Sequence, residues 1–309
     1  MKDKLLYSLY IGLLGTLARL PLSWLYCVSD ALCWVMTHVW HYRRRVVREN
    51  LQRVFPDLSA ERRLEIESAF YHHLCDIIVE IIKLLHISDD ELNSRVEAHG
   101  TEFVDACARE GRPVFVLMGH YGNWEWGQQM YTHFTEPVIC SQVYRPLRDK
   151  ASDRLFERLR SRFTGICVRQ TAVYRSVLRM KAAGTPFLMA FIADQHPNSE
   201  VMDHWTTFLG QDSMYITGAE ELGRKIGACY FYLDIEQTSR GHYRMTIRPI
   251  EPVENETFPY TVGYLRMMEA SILRQPELWL WSHRRWYISR EEYNSRQAAK
   301  ANPRLAEDS

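Results

Sequence analysis

The sequence lacks an excess of charge of either sign, because its 38 lysines and arginines are matched by 38 aspartates and glutamates. A nucleic-acid partner is therefore not indicated, and any anion site must come from a local cluster of cations. The 15 glycines and 12 prolines are not gathered into a linker. The 309 residues are accordingly predicted to form one large domain with an appendage.

The cysteines are few and show no pattern. There are seven, an odd number, and they are scattered along the chain without a C-x-x-C spacing. This argues against a disulfide framework and against a zinc knuckle, and it indicates a reducing compartment for most of the chain. No metal site or cofactor is predicted.

No uncharged run near the N-terminus reaches the ~20 residues that an untilted helix needs to cross a membrane. The longest, residues 5–18, is followed by Arg19 and Pro21, without a small-residue cleavage pattern. Residues 1–42 are predicted to form membrane-associating helices, kinked near Pro21. The basic cluster of residues 41–48 suits anionic headgroups on the cytoplasmic leaflet. A buried core hairpin with a solvated basic end is the alternative.

Farther along the chain, apolar runs of strand length alternate with helical patterns. This alternation predicts an α/β fold with a mostly parallel central sheet covered by helices. The predicted strands are residues 113–118, 186–193 and 228–233, with residues 242–250 pairing antiparallel to 229–237. The predicted helices are residues 59–86, 96–112, 174–183, 217–226 and 261–275.

These patterns predict a catalytic domain over residues 43–290. It is helical over residues 43–95 and has an α/β core over residues 96–290. Residues 291–309 are polar and interrupted by proline, so they are predicted to be a flexible tail.

Reactive side chains follow two of the apolar runs. His120 comes after the first run and Asp194 after the second. Ligands bind beyond the carboxyl ends of parallel strands, so these are the first candidate positions. His120 is followed by Glu125, with Gly122 between them to allow a tight turn. The same spacing in His86 and Glu91 lies at a helix end and is given no role.

The spacing of His120 and Glu125 predicts how they meet. On one helix these two side chains would point apart, so His120 is predicted to lie in the turn, with Glu125 folding back onto its ring from the first helical turn. The carboxylate would fix the tautomer and leave the second ring nitrogen to deprotonate a hydroxyl. A Gly-x-Ser-x-Gly elbow is absent, which argues against a covalent acyl-enzyme. Backbone N–H groups at the helix start are candidate oxyanion donors. An ordinary buried histidine is the alternative.

The chain resembles the lipid A late acyltransferases, which are relatives of the lysophospholipid and glycerol-phosphate acyltransferases. The hydrophobic N-terminus carries part of the resemblance. Six blocks in the order of the family carry the rest, namely residues 44–56, 119–125, 143–147, 193–195, 217–228 and 276–286.

The resemblance implies a glycerol-phosphate acyltransferase-like fold at the bacterial inner membrane, with the catalytic domain on the cytoplasmic side. It implies transfer of a fatty acyl chain from acyl carrier protein or acyl-CoA to a hydroxyl of a lipid A precursor. His120 and Glu125 would form the catalytic dyad, although many relatives have Asp at the second position. The substrate-binding residues it implies are Arg145, Asp194, Asn123, Arg224 and Arg284.

Three other functions fit the same residues. An acyltransferase could use a different acceptor, such as an aminolipid, a lysophospholipid or a glycolipid. A metal-dependent hydrolase could use His120, Glu125, Asp194 and His196, which are residue types that bind divalent metals. A lipid-binding protein without catalysis could keep the same scaffold.

Overall fold

The computed structural model describes residues 2–163, 165–197 and 204–301. Its helices are α1 (Lys2–Leu17), α2 (Leu22–His38), α3 (Arg44–Val54), α4 (Ala60–Lys83), α5 (Asp89–Asn93), α6 (Thr101–Arg109), α7 (Lys150–Arg160), α8 (Val173–Ala182), α9 (Gly218–Ile226), α10 (Pro259–Arg274) and α11 (Arg290–Ala301). Its strands are β1 (Val96–His99), β2 (Val114–Met118), β3 (Ile139–Tyr144), β4 (Ile166–Arg169), β5 (Phe187–Ile192), β6 (Trp205–Phe208), β7 (Gln211–Met214), β8 (Cys229–Ser239) and β9 (His242–Pro249). Short 3₁₀ helices cover Trp126–His133, Gln170–Ala172 and Pro276–Leu278.

Seven strands form one sheet in the order β1, β9, β8, β2, β5, β3, β4. The five strands from β8 to β4 are mutually parallel, whereas β9 pairs antiparallel with β8 and β1 runs parallel to β9. The predicted α/β fold with a mostly parallel sheet is confirmed. So is the predicted antiparallel pairing of β8 with β9.

Strand β2 is the central strand of the seven-stranded sheet and has a parallel neighbour on each side. Its residue Val114 pairs with Leu188 on one side and Cys229 on the other. All five residues of β2 are buried, which explains why its sequence is continuously apolar rather than alternating. The carboxyl end of β2 therefore opens between two parallel neighbours, β5 and β8.

Helix α4 is the long helical element that the sequence predicts. Ser59 caps its first turn by accepting a hydrogen bond from the backbone N–H of Arg62. The helix packs against α2 and against the 3₁₀ helix Pro276–Leu278. Three of its buried side chains, Glu67, Asp76 and Glu80, are acidic, so its inner face is held by polar contacts as well as by apolar packing.

The N-terminal segment forms two helices, α1 and α2, and not one long helix. In the part of the chain that the structure describes, no single helix is long and apolar enough to cross a membrane. Together, Leu6–Leu17 and Leu22–His38 have the length and the apolar composition of a membrane span. The two helices are bent by 113° at the break that contains Pro21. Part of the basic cluster is used within the protein, because Arg44 and Arg48 both pair with Glu67.

Two predicted elements differ in the structure. Residues 96–112, predicted as one helix, begin instead with β1, because Val96 pairs with Tyr243 of β9. Gly100 then turns the chain at φ 75° before α6 begins. The first part of the predicted tail is also helical: α11 contains Tyr293, which packs against Trp205. Residues 302–309 lie outside the described residues.

Candidate active site

The candidate site lies at one edge of the sheet. His120 follows β2, Asp194 follows β5, and Arg145 follows β3. These three strands are adjacent and parallel, so their carboxyl ends lie at the same edge. The sequence order of the strands hides this proximity, because β3 and β4 intervene between β2 and β5 along the chain.

Two glycines allow the chain to turn tightly on either side of His120. A Cβ on Gly119 would meet the Met268 side chain and would lie 3.3 Å from Cβ of Asp194. Gly122 has φ +57°, and a Cβ there would lie 2.5 Å from Cγ2 of Ile235. The first glycine therefore allows close approach to Asp194, and the second allows a left-handed backbone conformation.

His120 is held by a carboxylate from the neighbouring strand. Its Nδ1 lies 2.8 Å from Oδ1 of Asp194. The side chain of Asp194 is 2% exposed and that of His120 is 22% exposed. The side-chain amide nitrogen of Gln195 also lies near Nδ1, at 3.3 Å. The shorter contact is to an ionised carboxylate, which only accepts hydrogen bonds, so we assign the proton to Nδ1 and the lone pair to Nε2. No residue in the described ranges makes a hydrogen bond to Nε2.

Asp194 stays ionised although it is buried. Burial raises the pKa of this carboxyl, but the adjacent His120 and the hydrogen bonds from His120 and Trp279 outweigh burial and leave the pKa below its usual value. The second oxygen, Oδ2, accepts the indole N–H of Trp279 at 3.0 Å. Both oxygens of the carboxylate are thus fixed, which in turn fixes the plane of the His120 ring.

The segment after α10 closes the turn around His120. The backbone N–H of Leu280 donates to the carbonyl of His120 at 3.1 Å, and that of Gly122 donates to the carbonyl of Leu278 at 3.0 Å. Tyr121 and Trp279 form an isolated antiparallel bridge between the two segments. The predicted block at residues 276–286 therefore contributes structure to the site.

The predicted contact between Glu125 and His120 is absent. Both oxygens of Glu125 instead accept hydrogen bonds from Arg160 of α7. Nε of Arg160 donates to Oε2 at 3.0 Å, and Nη2 donates to Oε1 at 2.5 Å. Glu125 is the residue before the 3₁₀ helix Trp126–His133, and the left-handed turn at Gly122 directs its side chain toward α7. Asp194 takes the place beside His120 that the sequence assigned to Glu125.

The other predicted substrate-binding residues are dispersed. Asn123 is 0% exposed, and its amide donates to Glu80 and accepts from the backbone of Trp126, so it presents no surface to a substrate. Arg145 is exposed at the carboxyl edge of the sheet.

Arg224 lies near the amino ends of the parallel strands, away from His120. It is close to the end of α9, and β8 then begins with Cys229 beside Val114, the first residue of β2. Its guanidinium pairs with Glu220 at 2.6 Å. Arg284 is exposed in the segment that closes the turn around His120. Arg285, its neighbour, is buried and donates to the carbonyl of Met214 at 2.6 Å.

A narrow, mostly apolar cavity lies beside the site. One side of the cavity is a face of the sheet. Side chains two residues apart on a strand point to the same face, and the lining residues follow this spacing: Val116 and Met118 of β2, Leu188 and Ala190 of β5, with Gln142 of β3 beside them. Its roof is formed by Trp124, Gly127, Gln128, Met130, Tyr131 and Phe134. The ring of Trp124 also packs edge-on against His120, with ring centroids 5.1 Å apart, so one lining residue of the cavity contacts the histidine.

The sequence predicts one member of this site in another role and gives no role to two others. Asp194 is predicted as a substrate-binding residue and not as the partner of His120. Arg160 and Trp279 are given no role. The signal for Asp194 is its position at a strand end, whereas nothing in the local sequence marks Arg160. Among the described residues, no group of three His, Cys, Asp or Glu side chains gathers as metal ligands.

Comparison with known proteins shows the family of the chain. Residues 1–287 match the family described as bacterial lipid A biosynthesis acyltransferase. The chain is 23% identical over 250 residues to a lipid A biosynthesis palmitoleoyltransferase of Escherichia coli K12, which covers 79% of this chain and 78% of that protein. It is 23% identical over 291 residues to a lipid A biosynthesis lauroyltransferase of the same organism, which covers 93% and 92% of the two chains. The chain is an acyltransferase and belongs to the bacterial lipid A biosynthesis acyltransferase family.

Proposed function

We propose that this enzyme transfers a fatty acyl chain from a thioester to a hydroxyl of a lipid A precursor, with His120 as the general base. The observation that carries the proposal is the 2.8 Å contact between Nδ1 of His120 and Asp194, which leaves Nε2 as a proton acceptor. The names of the relatives, a palmitoleoyltransferase and a lauroyltransferase of lipid A biosynthesis, support a fatty acyl group and an acceptor in lipid A biosynthesis. The donor is acyl carrier protein or acyl-CoA.

The proposed reaction needs no covalent enzyme intermediate. The lipid hydroxyl oxygen attacks the carbonyl carbon of the thioester while its proton moves to Nε2 of His120. The tetrahedral intermediate then collapses, the C–S bond breaks, and the leaving thiolate takes the proton back from Nε2. The products are an ester and a free thiol. Asp194 keeps Nδ1 protonated throughout and stabilises the imidazolium that forms between the two steps.

Glu125 has a supporting role in this proposal. Its ion pair with Arg160 joins the turn around His120 to α7, and the carbonyl of Arg160 accepts the side-chain amide of Gln142 at 2.8 Å. Gln142 lines the cavity. Glu125 therefore acts on the position of the turn and of the cavity wall, and not on the proton of His120.

The apolar cavity is the proposed site of the acyl chain. Its lining is mostly apolar, includes Met118 and Val116 of β2, and contains Trp124, which packs against His120. A Cβ on Gly127 would lie 3.0 Å from Leu233 and 3.7 Å from Met118, so a larger side chain there narrows the cavity. Gly127→Val is expected to shift the preferred donor to shorter chains, as measured by competition between thioesters of different length.

Gly218→Val is the matched control for that shift, because a Cβ on Gly218 meets nothing within 4 Å. It is expected to leave the chain-length preference unchanged. Equal preferences in the Gly127→Val variant and the unmodified enzyme would contradict the placement of the acyl chain.

The N-terminal helices are the proposed membrane contact. Helix α2 buries Leu25 and Cys33 but leaves Trp24 and Trp34 on its outer face, where they are 67% and 58% exposed. Exposed tryptophans next to the arginines of residues 43–48 suit the headgroup boundary of the inner membrane on its cytoplasmic side. Arg145 and Arg284, both exposed, are the proposed contacts for anionic groups of the substrates.

The experiment is a transfer assay on purified enzyme with defined acyl carrier protein and CoA thioesters. The acceptors are a lipid A precursor, a lysophospholipid, an aminolipid and a glycolipid, and the products are identified by mass spectrometry. The expected result is one added acyl unit on the lipid A precursor alone. Acylation of another acceptor in place of the lipid A precursor, or intact thioester in every reaction, would overturn the proposal.

A further inference from the structure

A buried carboxylate outside the proposed mechanism lies beneath the turn that carries His120. Glu80, near the end of α4, is 0% exposed. In the described part of the chain, no lysine, arginine or histidine nitrogen forms a salt bridge with it. A buried charge without a cationic partner lowers stability unless hydrogen bonds satisfy it. The hydrogen-bond donors around Glu80 therefore show what holds this carboxylate in place.

Three donors from three separate elements satisfy this carboxylate. The hydroxyl of Tyr26 in α2 donates to Oε1 at 2.8 Å. Oε2 accepts the amide of Asn123 at 2.6 Å and the hydroxyl of Tyr243 in β9 at 2.8 Å. Burial raises the pKa of Glu80 to about 7, against the lowering effect of these three hydrogen bonds. Three donors on two oxygens match the ionised form, which only accepts.

Asn123 transmits this contact to the catalytic turn. While its amide nitrogen donates to Glu80, its Oδ1 accepts the backbone N–H of Trp126 at 3.1 Å. The indole N–H of Trp126 donates in turn to the backbone carbonyl of Glu80 at 3.2 Å. The stretch between His120 and Trp126 is therefore fastened to one turn of α4 at two points.

We propose that Glu80 is a positioning residue that sets the conformation of the His120 turn through Asn123 and connects this turn to the N-terminal helix α2 through Tyr26. This inference rests on the proposed function, because it assigns the alignment of His120 to a carboxylate that never touches the substrate. It also gives the buried Asn123 its role: the amide holds the turn from below.

The test exchanges the two partners. Glu80→Met removes both acceptor oxygens, and Asn123→Asp places two carboxylates in contact. Each of these variants is expected to lower kcat by about tenfold or more, the effect of one lost buried hydrogen bond, with KM within about twofold. Glu80→Gln alone is the conservative variant: its amide oxygen can accept from Asn123 while its N–H₂ donates to the hydroxyl of Tyr26, so kcat is expected to stay within about threefold. In the double variant Glu80→Gln with Asn123→Asp, the amide introduced on α4 donates to the carboxylate introduced in the turn. The hydrogen bond is thereby restored in the opposite direction, and kcat is expected to recover to within about threefold.

Asp76→Asn is the matched control, because Asp76 lies one turn earlier on α4 and is also buried. It accepts from Ser29 of α2 and pairs with Arg240, but it makes no hydrogen bond to the catalytic turn. This variant is expected to lower the unfolding temperature and to leave kcat per folded molecule unchanged.

Hydrogen exchange of residues 119–126 is the readout that does not depend on activity. Faster exchange in Glu80→Met and in Asn123→Asp, with recovery in the double variant Glu80→Gln with Asn123→Asp, supports the proposal even if no acyl transfer were found. Unchanged exchange in Glu80→Met, absence of recovery in the double variant, or an equal loss of kcat in Asp76→Asn overturns it. Absence of transfer in the unmodified enzyme would overturn the proposed function alone.

Discussion

Two pairs of acid and base lie beside the catalytic turn, and they differ in what is left free. In the pair of Glu125 and Arg160, both carboxylate oxygens are bound and the side chains are 5% and 19% exposed. In the pair of His120 and Asp194, the carboxylate is equally enclosed, but the ring is 22% exposed and one nitrogen remains available. An acid–base pair can move a proton only if one member keeps an open position, so only the second pair can act on a substrate.

The same comparison separates fixation from chemistry. Burial lowers the pKa of Arg160, but the hydrogen bond and the charge of Glu125 outweigh burial and leave the pKa above its ordinary value, so the guanidinium does not give up its proton. An imidazole can accept a proton on one nitrogen while the other nitrogen keeps its own, so the pair of His120 and Asp194 can take up and return a proton during the reaction. Both pairs lie beside the turn, and the chemistry of the basic side chain sets them apart.

The largest effect on kcat is expected from removal of the His120 imidazole, the proposed general base. His120→Ala should lower kcat by about 10² to 10⁴, the range typical of general-base removal, while folding is retained. His86→Ala is the matched control, because His86 and Glu91 have the same spacing but His86 is exposed just after the end of α4. Transfer should be unchanged in that control. Full activity in His120→Ala would remove the general base from the account.

The second prediction concerns the carboxylates. Asp194→Asn should lower kcat by about 10², because an amide no longer selects the Nδ1–H tautomer. The pKa of Asp194 lies below its usual value, so this carboxyl stays ionised, and the variant also removes the negative charge that stabilises the imidazolium formed during transfer. Steady-state kinetics with a thioester and a lipid A precursor measure the loss, and a variant as active as the unmodified enzyme would contradict this role.

Glu125→Gln is the contrasting variant. It should lower kcat less than Asp194→Asn does, because Glu125 contacts Arg160 and acts only on the position of the turn. A larger loss of kcat in Glu125→Gln than in Asp194→Asn would reverse the roles of the two carboxylates.

The smallest effect is expected on stability. Glu125→Gln leaves the Arg160 guanidinium mostly buried without its carboxylate, which should lower the free energy of unfolding by about 2 kcal/mol, less than for a fully buried pair because Arg160 is partly exposed. The double variant Glu125→Leu with Arg160→Met should recover part of this loss. Chemical denaturation measures both values, and a double variant less stable than Glu125→Gln would contradict the explanation.

Much of the fold could be predicted from the sequence, because a strand buried on both faces must be continuously apolar. Strands β2 and β5 are of this kind, and their bounds were predicted to within a residue or two. Strands β6 and β7 were missed, since residues such as Thr206 and Asp212 give them no apolar pattern. Strand β1 was missed because its four residues depend on pairing with β9.

The site could be predicted only in part, for a related reason. His120 and Asp194 were both found because each follows an apolar strand. Their contact depends on β5 lying next to β2 in the sheet, and strand order is a tertiary property that local sequence does not encode. Glu125 was preferred because it is close in sequence, and the arginine that pairs with it comes from α7, beyond the reach of any local motif.

The most direct test of the central claim is the tautomer of His120, measured by ¹⁵N nuclear magnetic resonance on enzyme with labelled histidine. The His120→Ala spectrum assigns the signal. In the unmodified enzyme, we expect the neutral form of the His120 ring to carry its proton on Nδ1. We expect a mixture of the two tautomers in Asp194→Asn and the same tautomer as in the unmodified enzyme in Glu125→Gln. A ring protonated at Nε2 in the unmodified enzyme, or a tautomer that responds to Glu125 and not to Asp194, would contradict the central claim.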